Sequence, residues 1–487
     1  MMVFQRKVSR EMMVLLFIAT ACTVHTAVAQ DWPMVNGNKE RTSYVDNTQF
    51  QPPLRVTGPA ALNSANINPF AFYDGVLYGA RSGEPNYTVA VDAATGNVLW
   101  SFEMPGTKAS MNHVPAVSED LVLSGAQNCK ALYALDRHSG VEQWSLPVVS
   151  LSARHTIIDG DRAYVMTDTL FCIELSTGTV LWTYDIATTG AGTPAVDDKA
   201  VYANVGRFLF AVDKLNGTEL WRIASKDRSY AQVIAGSDTL YASNQKAVRA
   251  INRDDGSIIW ETELPEINVV AELVVGRMAL APDLICHAAW SDTTGVAALV
   301  ALERSTGAVR WTHQFTGEGM YAPVIVGDYV YAAEWDKDIL WALRLSDGSA
   351  VWDMQLDQVT DPPIFADGKL YVGSGPAVVA LESTPSAVGD VLPRHSDLTM
   401  TVAPNPTTDQ LRVTLSLTQR APVRISLHDI QGREVYQLFS SVVDAGAHTI
   451  RCSLASLGHH ALTPGMYFLQ ARTQTQTVSR KIVFHGK

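Results

Sequence analysis

The sequence is poor in cysteine and in charged residues. Its 487 residues include five cysteines, and only 18% are charged. No two cysteines are adjacent and none forms a C-x-x-C pair, so the motifs of zinc sites, haem attachment and vicinal disulfides are missing. With 47% hydrophobic residues, the composition excludes a disordered chain and a small disulfide scaffold. The length predicts two or three domains.

Positive charge is scarce over most of the chain. The net charge is −12, but residues 1–29 carry +2 and residues 398–487 carry +5, so residues 30–397 carry −19. Phosphate binding requires clustered Lys and Arg, and so acidic a region argues against nucleic acid as a partner.

Long hydrophobic runs are also absent, except near the start. Basic residues precede an apolar run at residues 12–21, and Ala27 and Ala29 lie at the two small-residue positions that signal peptidase reads. We therefore expect residues 1–29 to be a secretory signal peptide and the mature chain to begin at Gln30. No later stretch of about 18 uninterrupted apolar residues occurs, so we expect no transmembrane segment in the mature chain.

The five cysteines leave two questions open. Lipidation at Cys22 is the weaker alternative to cleavage at Gln30, because no aliphatic residue lies three places before it, as a lipobox prefers. The other cysteines, Cys129, Cys172, Cys286 and Cys452, can pair in an extracellular compartment, but their pairing cannot be assigned from spacing. We interpret them as small buried hydrophobic residues.

An internal repeat organises residues 54–385. Seven eleven-residue segments, from AVDAATGNVLW to ALRLSDGSAVW, share glycine at the seventh place and tryptophan at the eleventh. Their mean spacing is 42 residues, and the longest gap predicts a loop insertion around residues 283–295. The repeat tryptophans are Trp100, Trp144, Trp182, Trp221, Trp260, Trp311 and Trp352.

Each repeat predicts four short antiparallel strands. Polar turns precede runs of apolar residues, and the Thr-Gly or Ser-Gly dipeptide of the motif is a hairpin turn in which glycine accepts a positive φ. Repeated units of four strands predict an all-β, eight-bladed β-propeller at residues 30–385. The eighth copy, from Asp361, lacks the glycine and the tryptophan, so we expect residues 53–58 to supply its outer strand, with Arg55 at the tryptophan position.

The repeat resembles the PQQ-like (quinoprotein-type) repeat of quinoprotein dehydrogenases and outer-membrane assembly propellers. The resemblance rests on the motif A-x-D-x-x-T-G-x-x-x-W and on the opening segment DWPMVNGN at residues 31–38. It implies that the seven repeat tryptophans dock between neighbouring blades, a structural role.

The last 100 residues have a different composition. Residues 386–397 are rich in Pro, Ser and small residues and predict a linker. Residues 398–487 alternate short strands with turns, which predicts a small immunoglobulin-like β-sandwich.

Three motifs in residues 398–487 point to a sorting function. They are P-N-P-x-x-D-x-L from Pro404, D-x-x-G-R-x-V from Asp429, and P-G-M-Y-F from Pro464, followed by a basic end. They resemble the type A sorting domain of the type IX secretion system of Bacteroidota. The resemblance implies a partnership with that machinery, export across the outer membrane, and removal of the domain from a released or cell-surface product.

One mouth of the predicted channel is the candidate ligand site. Aligning the repeats on a column of tyrosines places His113, Arg154, Tyr230, Tyr321 and Asp361 at this mouth, with Asn112, His155 and Glu272 nearby. A rim of this kind is polar simply because it is solvated, so we expect surface or water-channel residues there. The chain contains no Ser-His-Asp spacing, phosphate loop or H-E-x-x-H motif, and we assign no catalytic residue and no metal ligand.

The resemblance makes pyrroloquinoline quinone (PQQ) and calcium the cofactors to consider. Such a site needs an arginine, carboxylates and a stacking tryptophan. Arg154, Glu272 and Asp361 can supply part of this set, but the mouth column contains no tryptophan. We therefore assign no cofactor and leave the question of an enzyme open.

The function that we favour is a secreted or cell-surface binding scaffold, with an unknown protein, small-molecule or glycan ligand at the propeller. One alternative is a PQQ- and calcium-dependent dehydrogenase. Another is an envelope assembly factor resembling the outer-membrane assembly propellers. The fold alone does not name the ligand.

Overall fold

A computed structural model describes most of the chain between residues 31 and 485. The described ranges are 31–57, 67–81, 86–105, 113–125, 130–148, 155–186, 192–225, 230–244, 247–264, 278–290, 296–375, 377–384, 398–403, 405, 407–417, 420–429, 433–453, 462–473 and 477–485. The predicted signal peptide with Cys22, the linker, Cys129 and three mouth residues (Asn112, Arg154 and Glu272) lie outside the described residues.

The described residues form strands and turns, with no helix. The strands up to residue 384 are β1 (Tyr44–Val45), β2 (Leu54–Thr57), β3 (Ile67–Tyr73), β4 (Val76–Arg81), β5 (Asn86–Asp92), β6 (Val98–Met104), β7 (Ala116–Val117), β8 (Leu121–Ser124), β9 (Ala131–Asp136), β10 (Glu142–Pro147), β11 (Ile157–Asp159), β12 (Arg162–Met166), β13 (Thr169–Glu174), β14 (Val180–Asp185), β15 (Ala195–Val196), β16 (Ala200–Val205), β17 (Phe208–Asp213), β18 (Glu219–Ala224), β19 (Tyr230–Ala235), β20 (Thr239–Asn244), β21 (Ala247–Asn252), β22 (Ile258–Glu263), β23 (Met278–Leu280), β24 (Leu284–Trp290), β25 (Ala297–Glu303), β26 (Val309–Gln314), β27 (Val324–Val326), β28 (Tyr329–Glu334), β29 (Ile339–Arg344), β30 (Ala350–Gln355), β31 (Ile364–Ala366), β32 (Lys369–Ser374) and β33 (Ala377–Ser383).

These strands form a β-propeller of successive antiparallel sheets. Sheets 1 to 6 each contain four consecutive strands, beginning with β3–β6 and ending with β23–β26. Sheet 7 contains β27–β30 with β1 added beside β27, and sheet 8 contains β31–β33 with β2 added beside β33. The first strand of each sheet contacts the first strand of the next, and β32 of sheet 8 contacts β3 of sheet 1. The all-β propeller predicted from the repeat is confirmed.

The acidic residue of the motif stabilises the turn before the outer strand. Asp92 Oδ1 accepts hydrogen bonds from the backbone N–H of Ala94 at 3.1 Å and from the N–H and hydroxyl of Thr95, both at 2.6 Å. Gly96 follows with a φ of 76°, a conformation that costs glycine nothing. The same pattern recurs at Asp136, so the repeated carboxylates serve the turn rather than a metal site.

The repeat glycine and the repeat tryptophan meet across the sheet boundary. The ring of Trp182 lies against Gly217 of the next sheet, where an added Cβ would approach the ring to 2.7 Å. The same close contact with the tryptophan ring of the preceding sheet occurs at Gly140, Gly178, Gly256 and Gly307.

The indole N–H also bonds across this boundary. Nε1 donates to a backbone carbonyl of the next repeat in these pairs: Trp100 to Arg137 at 2.9 Å, Trp144 to Leu175 at 3.0 Å, Trp182 to Lys214 at 3.2 Å, Trp221 to Arg253 at 2.8 Å, Trp260 to Arg304 at 2.9 Å and Trp311 to Leu345 at 2.8 Å. Trp352 is half-buried and packs in the hydrophobic cluster shared by sheets 7, 8 and 1.

Sheet 8 joins the two ends of the repeat region, as the sequence predicts. Leu54 pairs with Ser383, and Thr57 pairs with Ala380. The expectation that Arg55 takes the tryptophan position is wrong. In the other sheets the first residue of the motif pairs with the tryptophan, as Ala342 does with Trp352, so Thr57 occupies that position. Arg55 instead forms an ion pair of 2.6 Å with Glu382.

The C-terminal region forms two antiparallel sheets. Its strands are β34 (Leu398–Ala403), β35 (Gln410–Leu417), β36 (Ala421–His428), β37 (Glu434–Val443), β38 (Gly446–Ser453), β39 (Gly465–Arg472) and β40 (Thr477–Phe484). One sheet has the order β34-β35-β38 and the other β37-β36-β39-β40. Both contribute to one hydrophobic core, which includes Val413 and Ile425 and buries Cys452.

Candidate functional site in the propeller channel

The N-terminal segment of the described chain, residues 31–50, follows the first strands of the successive sheets. We call it the channel segment. Its backbone bonds to the first strands of the sheets one after another: Trp32 pairs with Phe72, Pro33 O accepts from Val117 N, Lys39 O from Val196 N, Glu40 O from Ala235 N, Thr42 O from Leu280 N and Ser43 O from Ile325 N, at 2.7–3.0 Å. The repeat motifs do not predict this placement.

Sheet 3 is reached by a side chain of the channel segment. Lys39 Nζ lies 2.7 Å from Asp159 Oδ1 at the end of β11, and Lys214 Nζ contacts the other oxygen of the same carboxylate. Farther along, Phe50 packs edge-on against Tyr331 and Phe365, with ring centroids 5.4 and 4.7 Å away. The channel segment therefore contacts all eight sheets of the propeller.

Arg41 anchors the channel segment at the centre. Its Nη1 donates to the backbone carbonyl of Thr193 at 2.7 Å and lies 3.5 Å from that of Val233. Nε and Nη2 both donate to Asn36 Oδ1, at 3.3 and 3.2 Å. Burial lowers the pKa of Arg41 to about 9. The guanidinium is thus satisfied by carbonyl and amide oxygens of the channel wall and of its own segment.

Two predicted mouth residues, His113 and His155, lie together inside the channel. Their ring centroids are 5.7 Å apart. His155 Nδ1 accepts from Val114 N at 2.8 Å, while the His155 N–H donates to Thr193 Oγ1 at 3.3 Å. His113 Nε2 lies 3.4 Å from Thr156 Oγ1. Thr193 therefore links this histidine pair to Arg41.

The histidine pair is not the solvated rim that the sequence predicts. His113 is 1% exposed and His155 is 2% exposed. Burial, together with the neighbouring His155, lowers the pKa of His113 to about 3, so the ring is neutral at physiological pH. The expectation of surface residues is wrong for these two histidines, because both side chains are buried.

Tyr230, Tyr321 and Asp361 occupy other parts of the channel wall. Tyr230 is buried, with the Arg249 guanidinium 5.4 Å from its ring centroid. Burial raises the pKa of Tyr321 to about 12, with a contribution from Asp361. Burial also raises the pKa of Asp361 well above that of a free aspartate. The structure thus brings two of the five described candidates into one cluster and leaves the other three apart from it.

A cavity of about 20 Å³ remains between the channel segment and the wall. Its lining includes Asn36 and Ser43 from the channel segment, Val114 beside the histidine pair, and Asp361 from the start of sheet 8. That volume holds about one water molecule.

PQQ and calcium do not fit the described part of the channel. Ligands of such size occupy pockets of about 300 Å³ or more, far above the cavity left by the channel segment. The described residues contain no group of three or more His, Cys, Asp or Glu side chains arranged to hold a metal ion. Arg41 already donates to wall oxygens.

Comparison with known families separates the same two regions of the chain, the repeat region and the C-terminal region. The family model described as "Outer membrane protein assembly factor BamB", a model of PQQ-like repeats, matches residues 63–150 and 130–353, more than half of the chain. The chain belongs to this PQQ-like repeat family. A second model, described as "Secretion system C-terminal sorting domain", matches residues 401–485 of this PQQ-like repeat protein. Both resemblances drawn from the sequence motifs are confirmed.

Curated relatives of this PQQ-like repeat protein are distant. Tetrathionate hydrolase of Acidithiobacillus ferrooxidans is 20% identical over 394 residues, which cover 75% of this chain and 72% of that protein. BamB of Yersinia pestis is 24% identical over 191 residues, 36% of this chain and 46% of that protein. The chain also matches 32% of the length of the serine/threonine-protein kinase AfsK of Streptomyces coelicolor, at 26% identity. It therefore spans less than half of two of these three relatives.

Solved structures similar to this PQQ-like repeat protein show the fold alone. BamB from Moraxella catarrhalis is 17% identical with a TM-score of 0.52, covering 68% of this chain and 98% of that chain. The quinohemoprotein alcohol dehydrogenase ADHIIG from Pseudomonas putida HK5 is 14% identical with a TM-score of 0.61, covering 78% and 82%. The sorting domain indicates export to the cell surface or extracellular space. Among the described residues, no helix has the length and apolar character needed to cross a membrane.

Proposed function

We propose that this protein is a secreted or cell-surface binding scaffold whose eight sheets are the blades of a closed ring. The contact order of the first strands and the pairing of β2 with β33 support the ring. In this proposal residues 1–29 are the signal peptide, residues 30–385 the propeller, residues 386–397 the linker and residues 398–487 an immunoglobulin-like sorting domain, which is removed after export.

The main observation that supports the scaffold proposal is the position of the channel segment. It bonds to the channel wall from sheet to sheet, and the cavity described between segment and wall, about 20 Å³ in volume, is far smaller than a pocket that holds a quinone. Recognition then falls to the mouth loops and outer surfaces, where Tyr321 and the predicted residues Asn112, Arg154 and Glu272 are the candidates. A propeller whose axis is occupied presents a rigid surface for a protein or glycan.

Fractionation tests the export part of the proposal. Deleting residues 398–487 removes the region matched by the sorting model, so the propeller is expected to accumulate in the periplasm. Its continued appearance in the medium contradicts the sorting role. Substituting Arg433 within the same domain while retaining the other motifs provides a milder variant.

Activity assays test the scaffold part. Mature protein incubated with PQQ and calcium is expected to reduce no dye in the presence of alcohols or sugars. It is also expected to leave tetrathionate intact, although a protein named tetrathionate hydrolase is 20% identical to it. Saturable dye reduction overturns the scaffold proposal in favour of a dehydrogenase.

An envelope assembly factor is the second candidate, favoured by the family model that matches residues 63–353. A removable sorting domain fits poorly with a resident periplasmic helper. Recovery of the intact, unprocessed chain from the periplasm of a secretion-competent strain favours the assembly factor over the scaffold.

A further inference from the structure

The outer strand of sheet 7 differs from the outer strands of the sheets before it. In β6, β10, β14, β18, β22 and β26, the residue that follows the repeat tryptophan is exposed. In β30 the corresponding residue is Asp353, and it is half-buried together with the other five residues of the strand. Besides β29 of its own sheet, β30 contacts β40, the last strand of the sorting domain.

Two acidic residues of the propeller meet two basic residues of β40. Lys481 Nζ lies 2.7 Å from Asp357 Oδ2, just beyond the end of β30. Arg480 interacts electrostatically with Asp353: burial raises the pKa of Asp353, and the positive charge of Arg480 lowers it again. Burial lowers the pKa of Arg480, and Asp353 opposes that shift. Each half-buried charge thus lies near an opposite one, as a desolvated charge requires.

The overall charges of the two regions are complementary as well. Residues 30–397 carry −19 and residues 398–487 carry +5. The long-range electrostatic attraction between these two regions therefore favours the docked arrangement of the sorting domain over a detached one.

The contact is built from side chains rather than from a shared sheet. β30 and β40 are each the edge strand of a separate sheet, and no backbone ladder joins them. An exposed ion pair stabilises by only a fraction of a kcal/mol to about 1 kcal/mol. Because side chains of two separate sheets form this contact and no backbone ladder joins them, docking is reversible and another partner can displace it.

Arg480 and Lys481 lie at the basic end of the sorting domain, within the region matched by the sorting model. We propose that the outer edge of sheet 7 is a docking surface for this chain's own sorting domain, and that docking there competes with recognition of the basic end by the export machinery. The inference rests on the proposed export function. Asp353 and Asp357 bind the basic end while the sorting domain is docked. The export machinery binds the same basic end when the domain detaches.

Zero-length cross-linking tests the docking itself. Full-length protein is purified from cells without the secretion system, so that the sorting domain is retained, and is treated with a carbodiimide. This reagent condenses a carboxylate with an amine only when the two are in contact. The expected product is a peptide pair that joins Asp357 to Lys481, absent in Asp357→Asn. Failure to detect it in the unsubstituted protein overturns the docked arrangement.

Export kinetics test the competition. Asp353→Asn/Asp357→Asn leaves the sorting domain unchanged and is expected to speed the appearance of pulse-labelled protein in the medium by about two- to fivefold. Glu103→Gln/Glu263→Gln is the matched control, because both glutamates are exposed on the outer strands β6 and β22. Equal rates for the docking variant and the control, or a slower docking variant, overturn the competition.

Failure of this inference is distinguishable from failure of the proposed function. If deletion of residues 398–487 traps the propeller while the docking variant exports at the control rate, sorting stands and the competition fails. If the protein lacking residues 398–487 still reaches the medium, the proposed export function is wrong, and the proposed competition is then wrong as well.

Discussion

The contact between Trp182 and Gly217 of the next sheet can be measured by a double-mutant cycle. Trp182 is 9% exposed, and its ring packs near Tyr164 with centroids 6.0 Å apart. Trp182→Ala removes the ring and its hydrogen bond to Lys214, and we expect a loss of about 3–5 kcal/mol in the free energy of unfolding.

Gly217→Ala perturbs the same contact from the other side. Its φ of 77° costs an alanine about 1–2 kcal/mol. The new Cβ would lie 2.7 Å from the Trp182 ring, and displacing the ring costs about 1–3 kcal/mol more. In a Trp182→Ala background only the backbone cost remains, so the two substitutions couple by about 1–3 kcal/mol.

Urea unfolding of the four proteins in the cycle gives the coupling energy. Gly206→Ala is the matched control, because Gly206 has a φ of 52° and no atom within 4 Å of an added Cβ. The control should cost only the backbone strain, in both backgrounds. If Gly217→Ala costs as little as Gly206→Ala when Trp182 is present, the packing argument is refuted.

Three further predictions concern the channel and the N-terminus. Arg41→Ala leaves buried oxygens without a donor and opens a hole, so the free energy of unfolding should fall by about 3–5 kcal/mol; an unchanged urea midpoint contradicts the anchoring role. Burial lowers the pKa of His113 from 6.5 to about 3, so the His113 ring binds a proton more readily in the unfolded chain than in the folded one. The free energy of unfolding should therefore fall as the pH drops below about 6.5, by roughly 4 kcal/mol near pH 3. His113→Gln should flatten that part of the stability curve, and identical slopes in the two proteins refute the assignment. Mass spectrometry of the exported protein should find Gln30 at its start, whereas lipid on Cys22 contradicts that cleavage.

The repeated sheets were predictable because their determinants are local and recur. Glycine at the seventh place and tryptophan at the eleventh mark a turn and an outer strand in each copy, and the spacing of about 42 residues fits four strands. The pairing of Leu54 with the last repeat followed from the need to complete sheet 8. The register of this strand could not be predicted, because four residues offer too little pattern to show whether Arg55 or Thr57 takes the tryptophan position.

The channel segment could not be predicted because its contacts are long-range and it has no periodic pattern. Arg41 bonds to Thr193 and Val233, more than 150 residues away. Aligned repeats place His113 and His155 at the mouth without showing what fills the channel beneath them. The available hint was Asn36-Gly37 beside Trp32: both residues of the turn adopt positive φ, and Gly37 lies against the Trp32 ring.

The central claim is that the channel segment leaves no room for a quinone. Equilibrium dialysis of the mature propeller against PQQ, with and without calcium, tests it most directly. We expect no saturable binding in either condition. Saturable, calcium-dependent binding of one PQQ per chain would contradict the account and make the channel a cofactor site.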